Sequence, residues 1–408
     1  MSARRKVLAG LLAGFFLILP LTWAEDVRLK DAIQEFGEKR FIQTTPTRVK
    51  AGPFKLHPSL ETRTAYDTNI LGEKDDPKDD VVFNIRPGAI LEIPIQKHQL
   101  ALGYEADFEN FVKRTNQNDQ NQNFFALADF NFPSWYVNVY EELSETSDRA
   151  GTTFTERIPR FDQTIDPKIG YRWKRWTFET GFRHFTRDFR RQADDSLDFQ
   201  LVEWRGVIFY DLFARLKALL DYQTAQIDYD DNYVRNGTFH QARIGLEGEI
   251  FPNLMLKIRL GPQLRNYEVP AKPDFRSWVG KIILEYQARK NFALNLFFTR
   301  EPAEATFGDV NFYKIHAVGA GFDYTFRPKW TLFGDADYGR HNYAERATLG
   351  GQTLFRRDHL LHTASGLRYR IHPSLELELA YEYFFRGSNF SEFEHIDNIF
   401  YLRSRLAY

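Results

Sequence analysis

From Phe54 onward the chain repeats one unit: two strand-like stretches joined by a turn of two or three residues, then a longer polar loop. The short turns read as Gln96-Lys97, Pro133-Ser134, Lys174-Arg175, Asp211-Leu212, Phe251-Pro252-Asn253, Arg289-Lys290-Asn291, Arg327-Pro328-Lys329 and His372-Pro373-Ser374. Polar connections such as 67–80 and 147–159 lie between them. No connection reads as a helical crossover of about a dozen residues, which argues against a parallel sheet. A sandwich would not sort its connections into short and long so regularly. The chain reads as one long ribbon of antiparallel hairpins.

Within the ribbon, apolar residues recur at every second position. In the last stretch, Ile396 to Tyr408, one parity carries Phe400, Leu402, Ser404, Leu406 and Tyr408, and the other Tyr401, Arg403, Arg405 and Ala407. Residues 81–95 place Val81, Phe83, Ile85, Pro87, Ala89, Leu91, Ile93 and Ile95 on one parity. In residues 98–113, Leu100, Leu102, Tyr104, Ala106 and Phe108 oppose Glu105, Asp107 and Glu109. Period-two patterning means two faces in different solvents. With no helices to cover the apolar face, it is left for lipid. Lipid offers backbone groups no hydrogen-bond partners, so the sheet has to close without edges. The expected fold is all-β: a transmembrane, antiparallel, up-and-down barrel of about eighteen strands. Sixteen or twenty strands, or a soluble solenoid or sandwich, are the alternatives. An even count puts both termini on the periplasmic side, with Trp135, Trp176, Phe292 and Trp330 placed as an aromatic girdle just past the short turns.

The aromatic content, 16%, suits such girdles. The net charge of −1 argues against a nucleic-acid partner. Cysteine is absent, so disulfides, thiol catalysis and cysteine metal sites are excluded. Arg4, Arg5 and Lys6 precede an apolar run from Val7 to Leu21, then Thr22-Trp23-Ala24. This is the plan of a secretory signal peptide cut after Ala24. The expected domains are a signal peptide at 1–24, a periplasmic leader or partial plug at 25–53, and the barrel at 54–408.

Three segments carry a family resemblance: Phe54-Lys55-Leu56-His57-Pro58-Ser59-Leu60, Ala65-Tyr66-Asp67-Thr68-Asn69-Ile70, and Asp79-Asp80-Val81-Val82-Phe83-Asn84-Ile85-Arg86-Pro87-Gly88. Together they resemble the opening of the putative β-barrel porin 2 family, where a strand ending in Tyr-Asp-x-Asn precedes an acidic loop and a strand carrying Pro. The resemblance implies a bacterial outer-membrane porin; several members are similar to components encoded with exopolysaccharide export machinery. The aromatic carboxy-terminal strand ending at Tyr408 also resembles the signal recognised by the barrel-insertion machinery. Outer-membrane lipid, that machinery, and a polysaccharide with periplasmic export proteins are the expected partners.

The charged parity supplies the candidate channel-lining residues: Glu179, Arg183, Arg187, Glu203, Arg205, Lys257, Arg259, Arg265, Arg368, Arg370, Glu376, Glu378, Glu382, Arg403 and Arg405. In the last three strands an acidic row lies between two arginine rows. Cross-strand pairing would stiffen the wall, and facing rows of opposite sign would set a transverse field that selects polar solutes. Tyr401 and Phe384 share that parity, where sugar rings stack. Asp228-Tyr229-Asp230-Asp231-Asn232 resembles the start of a calcium loop but has Tyr233 for the glycine and Phe239 for the distal glutamate. It reads as a solvated loop, as do Asp75, Asp76, Asp79 and Asp80. His359 and His362 read as a local pair without a third ligand. No G-x-S-x-G, G-x-x-x-x-G-K or H-E-x-x-H motif occurs. The expectation is a channel, no enzyme, with no cofactor and no metal. A dedicated exopolysaccharide export component and a structural barrel with a plugged lumen are the alternatives.

Overall fold

The computed structural model describes residues 49–147, 157–230, 232–270, 272–305 and 310–407. The expected signal peptide, nearly all of the leader, and Tyr408 lie outside the described residues.

A short strand, β1 (Val49–Ala51), turns at Gly52 onto β2 (Phe54–Asp67) and pairs only with it. The hairpins follow in chain order: β3 (Asp80–Ile95) and β4 (His98–Phe111); β5 (Asp119–Asn131) and β6 (Trp135–Thr146); β7 (Arg160–Trp173) and β8 (Trp176–Phe189). Next come β9 (Phe199–Phe213) and β10 (Leu216–Tyr229); β11 (Gly237–Phe251) and β12 (Leu254–Tyr267); β13 (Phe275–Arg289) and β14 (Phe292–Glu304). Last are β15 (Phe312–Arg327) and β16 (Trp330–Leu349); β17 (Gln352–His372) and β18 (Leu375–Ser388); and β19 (His395–Ala407). Each strand from β2 to β19 pairs antiparallel with the next, and β19 returns to β2 from Ile399↔Asp67 to Ala407↔Ser59. Eighteen strands thus close into a barrel without an edge. At about 3.3 Å per residue and a tilt near 40°, the twelve residues of the shortest barrel strand rise some 30 Å, enough to cross an apolar band of about 25 Å.

The two faces separate as the alternation demands. Outward positions expose large apolar side chains around the wall, among them Leu102, Ile169, Ile208, Ile244, Leu296, Val318, Leu379 and Leu402. An aromatic girdle lies next to the short turns: Phe132 stacks on Trp135 with centroids 3.8 Å apart, Trp176 meets Tyr210 at 4.6 Å, and Trp330 meets Tyr369 at 4.4 Å. Towards the other end, Trp204, Tyr222, Trp278 and Tyr338 point outward. Glu141 and Gln163 interrupt the oily face and bond one another at 3.3 Å.

Two details differ from the sequence reading. Several strands run past their expected ends: the first β9–β10 turn residue is Ala214, not Asp211, and Arg289, Arg327 and His372 belong to strands. Register irregularities at Leu216/Lys217, Glu249/Phe251, Tyr286/Arg289, Thr325/Arg327 and Arg370/His372 explain this. A bulge lets a strand gain a residue as it twists into the turn. The alternation of short and long connections also has an exception. β16 and β17, of 20 and 21 residues, meet at the long-loop end in a two-residue turn, Gly350-Gly351. Both glycines have positive φ, 57° and 78°, the conformation such a turn needs and other residues adopt at a cost.

Candidate functional site

The pairing register puts all fifteen candidate lining residues on the inward parity, and sets Arg183 opposite Glu203, Arg368 and Arg403 opposite Glu378, and Arg370 and Arg405 opposite Glu376. What they form differs by sector. In the closing sector they make one continuous ladder. Asp323 of β15 bonds Arg368 of β17. Glu378 of β18 takes Arg368 Nε at 3.0 Å, Arg403 Nη2 at 2.5 Å and Tyr401 Oη at 2.8 Å. Glu61 of β2 then holds Arg405 at 2.5 Å and Arg86 of β3 at 3.2 Å, and Arg86 reaches Asp107 of β4 at 2.7 Å. Acid and base alternate from β15 to β4 across the seam where the first and last barrel strands meet. Arg370 and Glu376 lie one rung away at 3.8 Å, and Glu382 is 3.9 Å from Arg63. The ladder ties the closure with side chains as well as backbone.

Elsewhere the pairs are local. Arg187 clamps Asp162 at 2.9 and 3.0 Å, and Arg205 bonds Asp166. Asp221, fully buried, holds Arg243 at 2.7 Å and Arg259 at 3.1 Å. Arg265 bonds Glu304. Arg183 faces Glu203, and Lys257 faces Glu247. Glu179 accepts from Tyr136 Oη at 2.6 Å, with Lys168 Nζ at 3.9 Å. These last residues line an open cavity of about 510 Å³ at the short-turn end, with Arg172, Lys174, Asp129, Asp211 and Lys217 around its rim. Its wall is polar and mixed in sign, so it suits hydrated, polar solutes rather than apolar ones.

The other end carries an apolar cover that sequence reasoning missed. The inner face of β13 to β15 carries an apolar patch, with Ile283, Phe297, Ile315 and Ala317 buried. Phe390 and Phe393, from the connection between β18 and β19, pack against that patch together with Tyr313, Tyr343 and Val310. Arg356, with no exposed surface, lies 3.5 Å from the Phe393 ring centroid and bonds Asp358 at 2.6 Å. Asn311 Nδ2 donates to Val234 O at 3.1 Å, so the β10–β11 and β14–β15 connections also meet. Apolar residues on both parities of β13 to β15 were the available signal: a strand oily on its lumen face needs a cover.

The histidine pair separates. His359 faces outward and bonds Tyr338 Oη at 2.6 Å. His362, three residues on and therefore on the opposite face, points inward to Asp337 at 3.1 Å and Asp335 at 3.7 Å. The histidine without a third ligand in the sequence reading thus has two carboxylates beside it. Asp80, read as a solvated loop residue, is fully buried and accepts the backbone N–H groups of Val81, Lys113 and Arg114. Lys113 beside the exposed Asp79 holds that carboxyl below its usual range. In the calcium-like loop Asp231 lies outside the described residues, and Asp228 accepts from Gln226 at 3.0 Å.

A family model described as putative beta-barrel porin 2 matches residues 188–408. The three segments quoted above lie outside that match. No curated protein matches the chain. Solved structures similar to it include Pseudomonas aeruginosa OpdO, at 13% identity and TM-score 0.49, covering 86% of this chain and 97% of that one. P. aeruginosa OpdK with vanillate matches at 11% identity and TM-score 0.48, covering 86% and 99%. Acinetobacter baumannii OccAB4 matches at 11% identity and TM-score 0.46, covering 89% and 99%.

Proposed function

The chain belongs to the putative beta-barrel porin 2 family and is a porin-type barrel of the bacterial outer membrane, and from that premise we propose that it passes small polar solutes through a lumen lined by the fifteen charged residues. Both termini then face the periplasm, with the short turns. The reading assigns the chain no catalysis; the wall sorts and conducts. One observation carries it: a closed sheet of eighteen strands is apolar outside and ion-paired inside. Barrels of about sixteen to eighteen strands leave room for an aqueous channel. The 510 Å³ cavity is the entry on the short-turn side. Laddered charges order water along the wall while offering ions few uncompensated sites, which favours weak selectivity.

A second reading rests on the loops. The apolar knot around Phe390 and Phe393 constricts the long-loop end, which supports a barrel held closed until those loops move. The export of an exopolysaccharide has less support: Tyr401 is buried and bonded to Glu378 rather than presented for stacking.

Conductance of the purified barrel in a planar bilayer tests the proposal. Open, ohmic current without any trigger is the expected result, with swelling of liposomes in small neutral sugars. Current that appears only after deletion of 389–394, or of the leader, would replace it with the closed-barrel reading. Block by a polysaccharide but not by its monosaccharides would favour export.

A further inference from the structure

On the inner face of β16, Asp335 and Asp337 stand two residues apart, so both carboxylates leave the strand on one side. His362 of β17 is the register partner of Asp337, and it is buried, at 7% exposure. Its Nδ1 lies 3.1 Å from Asp337 Oδ1 and 3.7 Å from Asp335 Oδ2. One ligand atom from each of the three falls within 4.8 Å of the others. Two ligand atoms at about 2.1 Å from one metal are roughly 3.0 Å apart at a right angle and 3.4 Å apart at the tetrahedral angle. The two His362 spacings fit around a single ion after a shift of a few tenths of an ångström. An imidazole nitrogen with two carboxylate oxygens suits Mn²⁺, Fe²⁺, Co²⁺ or Zn²⁺. It lacks the thiolates that soft ions want and the six to eight oxygens of a calcium site. The Phe297 ring lies over Gly319, the partner of Asp337, and would collide with a Cβ there, while Asp335 faces Gly321. The side chains of Asp335 and Asp337 keep 14% and 11% of their surface exposed, where water can complete the coordination.

We propose that Asp335, Asp337 and His362 bind one divalent first-row transition-metal ion on the inner wall. The strand rise puts the carboxylates about 13 and 18 Å above Trp330, near mid-height of the apolar band. An ion there replaces an acidic spot in the lumen by a neutral or positive one. The site stands independently of the channel reading, because binding is read without current.

Co²⁺ is titrated into the purified, folded barrel in detergent and followed by its visible absorption, with Zn²⁺ as competitor. Wild type is expected to take up one equivalent saturably. Asp337→Asn, Asp335→Asn and His362→Gln are each expected to weaken binding at least tenfold, while His359→Gln on the outer face leaves it unchanged. X-ray absorption of the wild-type Co²⁺ complex is expected to show one imidazole ligand, whatever becomes of the variants. Wild type with no saturable absorption, a complex without an imidazole, or equal binding by folded His362→Gln protein would overturn the proposal.

Discussion

Glu378 holds two arginines and a tyrosine at once, at 2% exposure. Removing one partner of a buried ion pair strands the others and costs about 3–5 kcal/mol. Glu378→Gln is therefore expected to lower the thermal midpoint of the barrel in detergent by several degrees, and to shift reversal potentials towards anions. An unchanged midpoint and selectivity would mean the ladder is ornamental. Asp198, in the connection between β8 and β9, behaves differently. Burial, helped by Asp188, Asp195 and Asp230, pushes its carboxyl up to about 6. A raised carboxyl binds its proton more tightly when folded, so its contribution is full below about pH 4 and lost as pH rises through 6. A spin label at Ser196→Cys is expected to be more immobile at pH 5 than at pH 7.5, and Asp198→Asn should flatten the difference. Residue by residue, parity was legible in the sequence: Arg183 pairs with Glu203, and Arg368 and Arg403 with Glu378, as residues of one shared face must. The further partners Glu61, Arg86, Asp107 and Asp323 were not, because they come from strands outside the last three. The ligand set around His362 escaped for the same reason. Asp335 and Asp337 are 25 or more residues away and meet it only through register.

Strands and turns were the most readable level, since turn chemistry and period-two patterning are local. The errors cluster where a non-local contact overrides local pattern. Bulges shift the strand ends by one to three residues, and β16 and β17 continue into a hairpin through polar sequence that reads as loop. That hairpin depends on Gly351 at φ 78°. A β-branched residue there costs roughly 1–2 kcal/mol, so Gly351→Val is expected to speed amide exchange from 346 to 355 and leave the rest of the barrel protected. Exchange spreading through β15 and β18 would show that the hairpin is part of the barrel's cooperative unit. On the inner face of β7, Gly170 leaves room for the Tyr136 ring, which lies 2.1 Å from where a Cβ would be. Gly170→Ala should push Tyr136 off Glu179 and alter the current through the short-turn cavity without unfolding the wall. Current identical to wild type would put the cavity off the conduction path.

At the scale of the whole molecule, closure follows from lipid: eighteen hairpin-linked strands with an oily outer face can satisfy their backbones only as a ring. The ring was legible in the sequence. The apolar cover at its long-loop end was not, because it comes from Phe390 and Phe393 meeting a patch carried by four other strands. The claim beneath everything else is that alternate residues of each strand face water inside and lipid outside. The chain has no cysteine, so single cysteines placed along β6 report on one position each. With the barrel in a planar bilayer, a charged, water-soluble thiol reagent should step the current at Asn138, Glu142 and Ser144 and do nothing at Val137, Val139 and Leu143. Steps at both parities, or at the second set alone, would contradict the account.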